Sequence, residues 1–281
     1  MIAASDIERA EVVLTDADFA ALQALVERHL GIRMPAAKRA LVSQRLRGPV
    51  ARSGLGTWRA WADANLGRPP DAALLSVLAD ALTTNHTCFW REPEHFVVFR
   101  DRVLPEQLQA HARDKDLRVW CAAAATGEEP YQLAMLLRDG VPSGWTAGLL
   151  ATDISARALA FARVGRYDAD RLASLPAAWR DRYVTVDPSG AGTIRAELRR
   201  DITFRRLNLL NPDWPFRLPF DVVFCRNVLI YFDPPVRDAV VDRLVERLRP
   251  GGVLFVGHAE SLPTRRWPIT SMGPGIWRRN P

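Results

Sequence analysis

RVWCAAAATGEEPY, residues 118–131, passes from an apolar, strand-like run into a turn of small side chains with one glycine, Gly127. Two carboxylates, Glu128 and Glu129, then open a helix. A strand feeding a helix through a tight turn is the building unit of a doubly wound α/β sheet, and such turns hold ligands at the strand's carboxyl end. Phosphate-binding turns of this kind use several glycines and usually a lysine, because amide N–H groups and a positive charge must close around an anion. Here there is one glycine, no lysine and two acids. The turn selects against phosphate and suits a cation that also offers hydroxyl and amino groups. S-adenosylmethionine, with its sulfonium, amino group and ribose diol, has that chemistry. An Ala-rich strand end also occurs as plain core packing, so the flanking segments decide the matter.

Working outward, strands are expected at 117–122, 147–152, 220–225 and 252–257, with helices at 128–139, 155–164 and 235–249. This alternation predicts an α/β fold with a doubly wound, mostly parallel sheet whose ligands lie beyond the carboxyl ends of the strands. Between about 167 and 207 the order breaks into short β-like pieces at 183–186, 193–197 and 202–207 around the turn DPSGAG, which predicts an inserted antiparallel β subdomain. Residues 15–82 read as four short helices. Thr15 and Asp18 form a capping box, Phe19, Leu22, Val26 and Leu30 recur at helical spacing, and Gly31 supplies a stop. The second helix, after Pro35, is basic, with Lys38, Arg39, Arg45 and Arg47. Thr57 caps a third with Trp58 and Trp61, and Asp71 a fourth with Leu74, Leu75, Leu78 and Leu82; these apolar side chains read as core. The expected division is 1–84 and 85–281.

The strand ends hold the candidate site. Asp153, in LLATDIS, ends the second strand, where a carboxylate accepts ribose hydroxyls; its alternative reading is a helix cap. DVVFCRNVLIYF ends a buried strand with Arg226 and Asn227, followed by Tyr231. Arginine and asparagine are costly in a pure core without partners, which assigns them to the cleft. FDPP at 232–235 is similar to the D-P-P-Y signature of base-modifying amino methyltransferases, but Arg226 and Asn227 hold the strand end, and Asp233 with two prolines reads as a helix start. His258 reads equally as packing or as active, His86 either way, and Cys225 as a core thiol rather than a nucleophile.

Composition bounds the partners. The chain has 281 residues, a net charge of +6 and only two lysines, so an acidic partner is favoured without its class being chosen. Three cysteines, Cys88, Cys121 and Cys225, lack C-x-x-C spacing, which argues against a disulfide framework and against a zinc site, and no metal is expected. No apolar run approaches the ~20 residues of a bilayer crossing. The opening MIAASDIERAE lacks a leader's apolar core, so a cytoplasmic monomer is expected.

Taken together, LTTNHTCFWREPEHF, WCAAAATGEEPY, ATDIS, NLL at 208–210, FDVVFCRNVLIYF and GGVLFVGHAESL, in this order, resemble the CheR family of chemotaxis-receptor glutamate O-methyltransferases over nearly the whole chain. The resemblance implies a class I S-adenosylmethionine methyltransferase sheet behind an N-terminal helical domain. It implies methyl transfer to glutamates on the cytoplasmic helices of chemoreceptors. Its cofactor contacts fall on Asn85, Thr87, Arg91, Glu128, Asp153, Asn208, Leu209, Arg226 and Asn227, and Arg91 and Tyr231 face the transferred methyl. The basic helix, with Lys38, Arg39, Arg45 and Arg47, corresponds to the receptor-binding surface. The β insertion corresponds to the part that, in some members, binds a receptor's C-terminal pentapeptide. The family's first loop often has serines where this chain has Cys121 and Ala125. The competing classes are a nucleic-acid methyltransferase and a non-catalytic cofactor-binding regulator.

Overall fold

A computed structural model describes residues 12–263 and 266–281, so the expectation placed on MIAASDIERAE lies outside the described residues. The chain divides into two compact units. One runs up to Thr84 and takes in Tyr231–Val236; the other comprises Asn85–Ile230 and Arg237–Pro281.

The first unit is helical: α1 Asp16–Leu30, a 3-10 turn Ala36–Lys38, α2 Arg39–Arg52, α3 Trp58–Asn65 and α4 Ala72–Leu82. Thr15 and Asp18 make the reciprocal capping box on α1, and Gly31 closes it in the left-handed region at φ 70°. Thr57 and Asp71 accept backbone N–H groups at the starts of α3 and α4. The apolar stripe buries Leu22, Val26, Leu46, Leu78 and the stacked pair Trp58–Trp61, and Trp58 Nε1 donates to Asp18 at 3.0 Å. One side chain thus serves both the cap of α1 and the packing of α3.

The second unit begins with α5 Pro93–Val98 and α6 Leu104–Ala110, joined by a π-helical turn. It continues β1 Asp116–Cys121, α7 Glu128–Gly140, β2 Thr146–Asp153, α8 Ala156–Val164, β3 Arg166–Tyr167, α9 Ala169–Leu172 and α10 Ala177–Tyr183. After these come β4 Val184–Val186, β5 Gly192–Ile194, α11 Ala196–Arg200, β6 Ile202–Arg206, β7 Phe220–Cys225, α12 Pro234–Arg247, β8 Leu248–Val256, β9 Ile269–Gly273 and β10 Ile276–Arg279. The main sheet has the order β6-β2-β1-β7-β8-β10-β9. β6, β2, β1, β7 and β8 are parallel, and β10 runs antiparallel to β8 and β9. Every residue of β7 is buried, as a strand covered on both faces requires. One face packs Phe96, Phe99, Phe224 and Phe255, the last two stacked at 4.2 Å. Trp120 packs separately against Trp214, Phe216 and Phe220.

Three features depart from the sequence reading. The piece at 202–207 is not part of the insertion: β6 pairs in parallel with β2 at the edge of the main sheet, and the insertion is the three-stranded β3-β5-β4 sheet with short helices. β6 alternates buried and exposed residues, a pattern an edge strand shares with a hairpin strand. Second, residues 269–279, for which the sequence reading places no strand, form the hairpin β9–β10. Third, residues 93–110, where the sequence reading places no element, are helical, with Phe96, Phe99, Val103 and Gln107 at helical spacing on the buried side. Among the described residues, no helix is long and apolar enough to cross a membrane.

Candidate active site

Strand order reverses between β1 and β7, with β2 and β6 on one side of β1, and the carboxyl ends beside this switch point are where an open α/β sheet binds ligands. Backbone contacts draw the four ends together. Ala122 N–H donates to the Phe224 carbonyl, Ala124 N–H to the Thr152 carbonyl and Leu207 N–H to the Asp153 carbonyl. Gly127 closes the β1–α7 turn at φ 101°, and a Cβ there would lie 2.8 Å from both the Ala162 Cβ and the Tyr167 hydroxyl. Only glycine fits that turn.

Asp153 ends β2 nearly buried. Its Oδ2 accepts the Ala125 N–H at 2.8 Å and its Oδ1 the Ser155 N–H at 2.9 Å. The cap of α8 is Ser155, which accepts from Ala158 N–H, so Asp153 is left to bind the first loop to the second strand end. Glu128 opens α7 fully buried; Thr126 Oγ1 donates to it at 2.7 Å, and Arg171 of α9 stands 3.0 Å away. Burial pushes the Glu128 carboxyl up, outweighing the Thr126 hydrogen bond and the Arg171 charge. Glu129 turns instead towards Arg226 and accepts from the Cys121 thiol at 3.2 Å. The sequence reading gives Glu128 and Glu129 as two acids that repel phosphate and names no partner for either. The fold gives each an arginine.

Arg226 has a side chain only 1% exposed. It pairs with Glu129 and with Glu92 at 3.1 Å, donates to the Arg91 carbonyl at 2.5 Å, and lies 5.0 Å from the centre of the Phe96 ring. The partner that a buried arginine requires is therefore internal, in the form of two acids. Asn227 follows in the left-handed region at φ 57°, its amide donating to Glu92 Oε1 at 2.9 Å and its N–H to Glu260 Oε2 at 2.8 Å. Glu260 is buried and also accepts from Gly257 N–H at 2.6 Å and Ile230 N–H at 3.2 Å, so one carboxylate gathers the loop after β7. For Glu92, burial is outweighed by the Asn227 hydrogen bond and the Arg226 charge, which hold the carboxyl below its usual range.

Four of the five non-glycine residues at positive φ among the described residues, Trp90, Glu92, Ala125 and Asn227, lie in these segments, and such conformations concentrate at functional sites. Arg91 is half-buried and donates to the His86 carbonyl at 2.9 Å; Asn85 and Thr87 are half-buried in the same irregular stretch. Asn208 Oδ1 accepts the Leu210 N–H at 3.0 Å, and buried Leu209 offers its carbonyl to Arg243 at 2.7 Å. Tyr231 ends the 3-10 turn Leu229–Tyr231 half-buried and groups with the helical unit. Cys121 and Cys225 are buried, their thiols pushed well up by burial, which excludes them as nucleophiles.

Within the helical unit, two of the four basic candidates are committed internally. Arg39 pairs with Asp16 at 2.6 Å and donates to the Leu14 carbonyl. Arg45 caps the end of α4 through the carbonyls of Leu82 and Thr83. Lys38 and Arg47 have no such partner among the described residues, and Arg47 is exposed.

Sequence reasoning missed Glu92, Glu260, Arg171 and Thr126. Glu92 and Glu260 lie inside runs already singled out, WREPEHF and GHAESL. The detectable signal was a charged residue beside an Arg or a strand end; the pairing itself spans 134 residues between Glu92 and Arg226.

Residues 85–273 match the family described as CheR methyltransferase, SAM binding domain. The chain belongs to the CheR methyltransferase family. It is 36% identical over 267 residues to "Chemotaxis protein methyltransferase 2" of Pseudomonas aeruginosa, covering 94% of this chain and 93% of that one. It is 37% identical over 254 residues to the chemotaxis protein methyltransferase of Klebsiella aerogenes, covering 88% and 84%. To that of Escherichia coli it is 35% identical over 272 residues, covering 95% and 92%.

The strand ends of this CheR-family chain fit S-adenosylmethionine, its cofactor. Alanines line the β1–α7 turn, leaving the backbone approachable. The acids Asp153 and Glu128 stand at the end of β2 and the start of α7, and carboxylates are groups that accept from hydroxyls and amines. A phosphate would face these carboxylates with a single glycine to receive it.

Proposed function

We propose that this methyltransferase acts on glutamate side-chain carboxylates of chemoreceptor cytoplasmic helices, forming methyl esters. The observation that supports this reading best is a strand-end site rich in acids and hydrogen-bond donors, with Arg91 at its edge and both nearby thiols buried and protonated. Such a site binds and orients, and among the described residues its two buried thiols serve neither as activated nucleophiles nor as bases. A glutamate acceptor needs neither. With a reference pKa near 4.3 it is ionised at neutral pH and presents a carboxylate oxygen without losing a proton. S-adenosylmethionine supplies, when bound, a methyl group made electrophilic by its positive sulfur.

The residues then divide the work. Asn85, Thr87, Glu128, Asp153, Asn208 and Leu209 hold the cofactor. Arg226 and Asn227 set the β7 end through Glu92, Glu129 and Glu260, and Arg91 steers the carboxylate. Orientation of this kind recovers roughly 7–11 kcal/mol of barrier in well-aligned intramolecular reactions. Lys38 and Arg47 engage the acidic receptor helix, a long-range attraction that weakens with salt.

The test is incubation with methyl-labelled S-adenosylmethionine and receptor cytoplasmic fragments, followed by alkali. Release of the label as volatile methanol identifies an ester. Label retained on the fragment, or transferred to added DNA or RNA, refutes the assignment.

A further inference from the structure

Glu92, His95 and His258 bring one carboxylate oxygen and two imidazole nitrogens within 4.8 Å of one another. Glu92 and His95 are three residues apart, one turn of α5, and His258 follows β8 with its ring centre 4.5 Å from that of His95. Glu92 reaches this position from a left-handed backbone, φ 53°.

The decisive detail is the state of His95, which is fully buried. Its Nε2 lies 3.1 Å from the Pro274 carbonyl, an acceptor only, so Nε2 holds the ring proton and donates. Nδ1 is then a lone pair. Among the described residues it has no hydrogen-bond partner, and it faces Glu92 Oε2, a second acceptor, at 3.5 Å. Glu92 Oε2 also accepts from Arg226 at 3.1 Å and from the His258 N–H at 3.3 Å, but neither reaches Nδ1. The facing pair is relieved by a proton on Nδ1 or by a metal cation beside it, and full burial of the ring next to the Arg226 guanidinium disfavours the imidazolium.

The surroundings favour such a cation. Arg226 is one positive charge against two carboxylates, Glu92 and Glu129, so the cluster keeps net negative charge. The turn that fixes His95 is built for close approach: Gly275 has φ 69°, and a Cβ there would stand 2.9 Å from His95 Nε2. A histidine that donates its far N–H to a backbone carbonyl has the support metal-binding histidines typically receive. Bond lengths of about 2.0–2.2 Å in a tetrahedral site put neighbouring ligand atoms roughly 3.3–3.6 Å apart. The Glu92–His95 separation of 3.5 Å already meets this, and exposed His258 is the ligand free to swing in.

We propose that Glu92, His95 and His258 bind a divalent transition-metal ion of the zinc class, with a fourth position left to water. Two imidazoles and one carboxylate suit zinc, cobalt or nickel; magnesium and calcium prefer all-oxygen shells.

The experiment titrates untagged full-length protein with Co2+ in place of zinc and follows visible d–d absorption, with Zn2+ as competitor. One equivalent should bind with the intense bands of four-coordinate cobalt, and Zn2+ should displace it and raise the melting temperature. His258→Ala, at an exposed position, should keep the metal-free melting temperature and weaken Co2+ at least tenfold. Glu94→Gln, an exposed neighbouring acid, should change neither. Absence of saturable binding, unchanged affinity in His258→Ala, equal loss in Glu94→Gln, or a thiolate charge-transfer band pointing to Cys88 would each overturn the proposal.

Discussion

Glu128→Gln separates a ligand-binding acid from a structural one. The carboxylate is fully buried, with one oxygen 2.7 Å from the Thr126 hydroxyl and the other 3.0 Å from Arg171. Glutamine keeps the shape and an acceptor for Thr126 while removing the charge. Arg171 is 31% exposed and can turn to water, so the loss expected when one member of a deeply buried pair is deleted does not apply in full. The ligand-free variant should therefore lie within about 1 kcal/mol of wild type in urea unfolding at neutral pH. The pH dependence has a definite sign. Burial raises the Glu128 carboxyl in the folded protein, so its contribution is fully present below the unfolded value of 4.5 and is lost as pH rises through the folded value. Wild type should lose stability relative to Glu128→Gln across that interval, by at most about 1.4 kcal/mol per pH unit, and hold level above it. Cofactor affinity should fall much further, because a charge-assisted hydrogen bond is worth about 1.5–3 kcal/mol, roughly 10–150-fold in Kd. Calorimetry with S-adenosylmethionine and S-adenosylhomocysteine reads this directly. Unchanged affinity would refute the ligand role, and a stability loss as large as the affinity loss would make Glu128 a structural ion pair only.

Three further outcomes follow from the same geometry. Arg91→Ala should abolish turnover while shifting unfolding by less than about 0.5 kcal/mol, since its side chain donates within the chain to the His86 carbonyl alone among the hydrogen bonds described; normal rates would remove it from the site. Lys38→Glu with Arg47→Glu should raise KM for receptor fragments several-fold and flatten its salt dependence, leaving kcat and S-adenosylhomocysteine binding intact; an equal fall in kcat would contradict a docking role. Gly127→Ala places a Cβ 2.8 Å from Ala162 and Tyr167 at φ 101°, and should cost about 1–3 kcal/mol in denaturant unfolding; a neutral result would mean the turn relaxes freely.

Local signals were legible where a residue acts on its neighbours. The capping box at Thr15 and Asp18, the stop at Gly31 and the caps at Thr57 and Asp71 all act within four residues, and each was readable in order along the chain. Strand cores at 119–121 and 222–225 were equally plain, because burial on both faces leaves the short apolar runs VWC and VVFC. β6 was misassigned because its partner β2 ends 49 residues before it begins, and a five-residue alternating strand looks the same in either sheet. The hairpin β9–β10 went unread for a related reason: its register shifts between Ile276 and Trp277, which blurs the alternation.

From its residues alone this chain established a doubly wound sheet and acids at the strand ends, because helix caps, glycine turns and apolar runs are short-range consequences of side-chain shape. Tertiary structure decided which charges remain for a ligand. Glu128 meets Arg171, Glu129 and Glu92 meet Arg226, and Glu260 gathers the loop after β7, all across separations that no local pattern encodes. Charges interact through space, and buried ones must be matched where the chain returns to them.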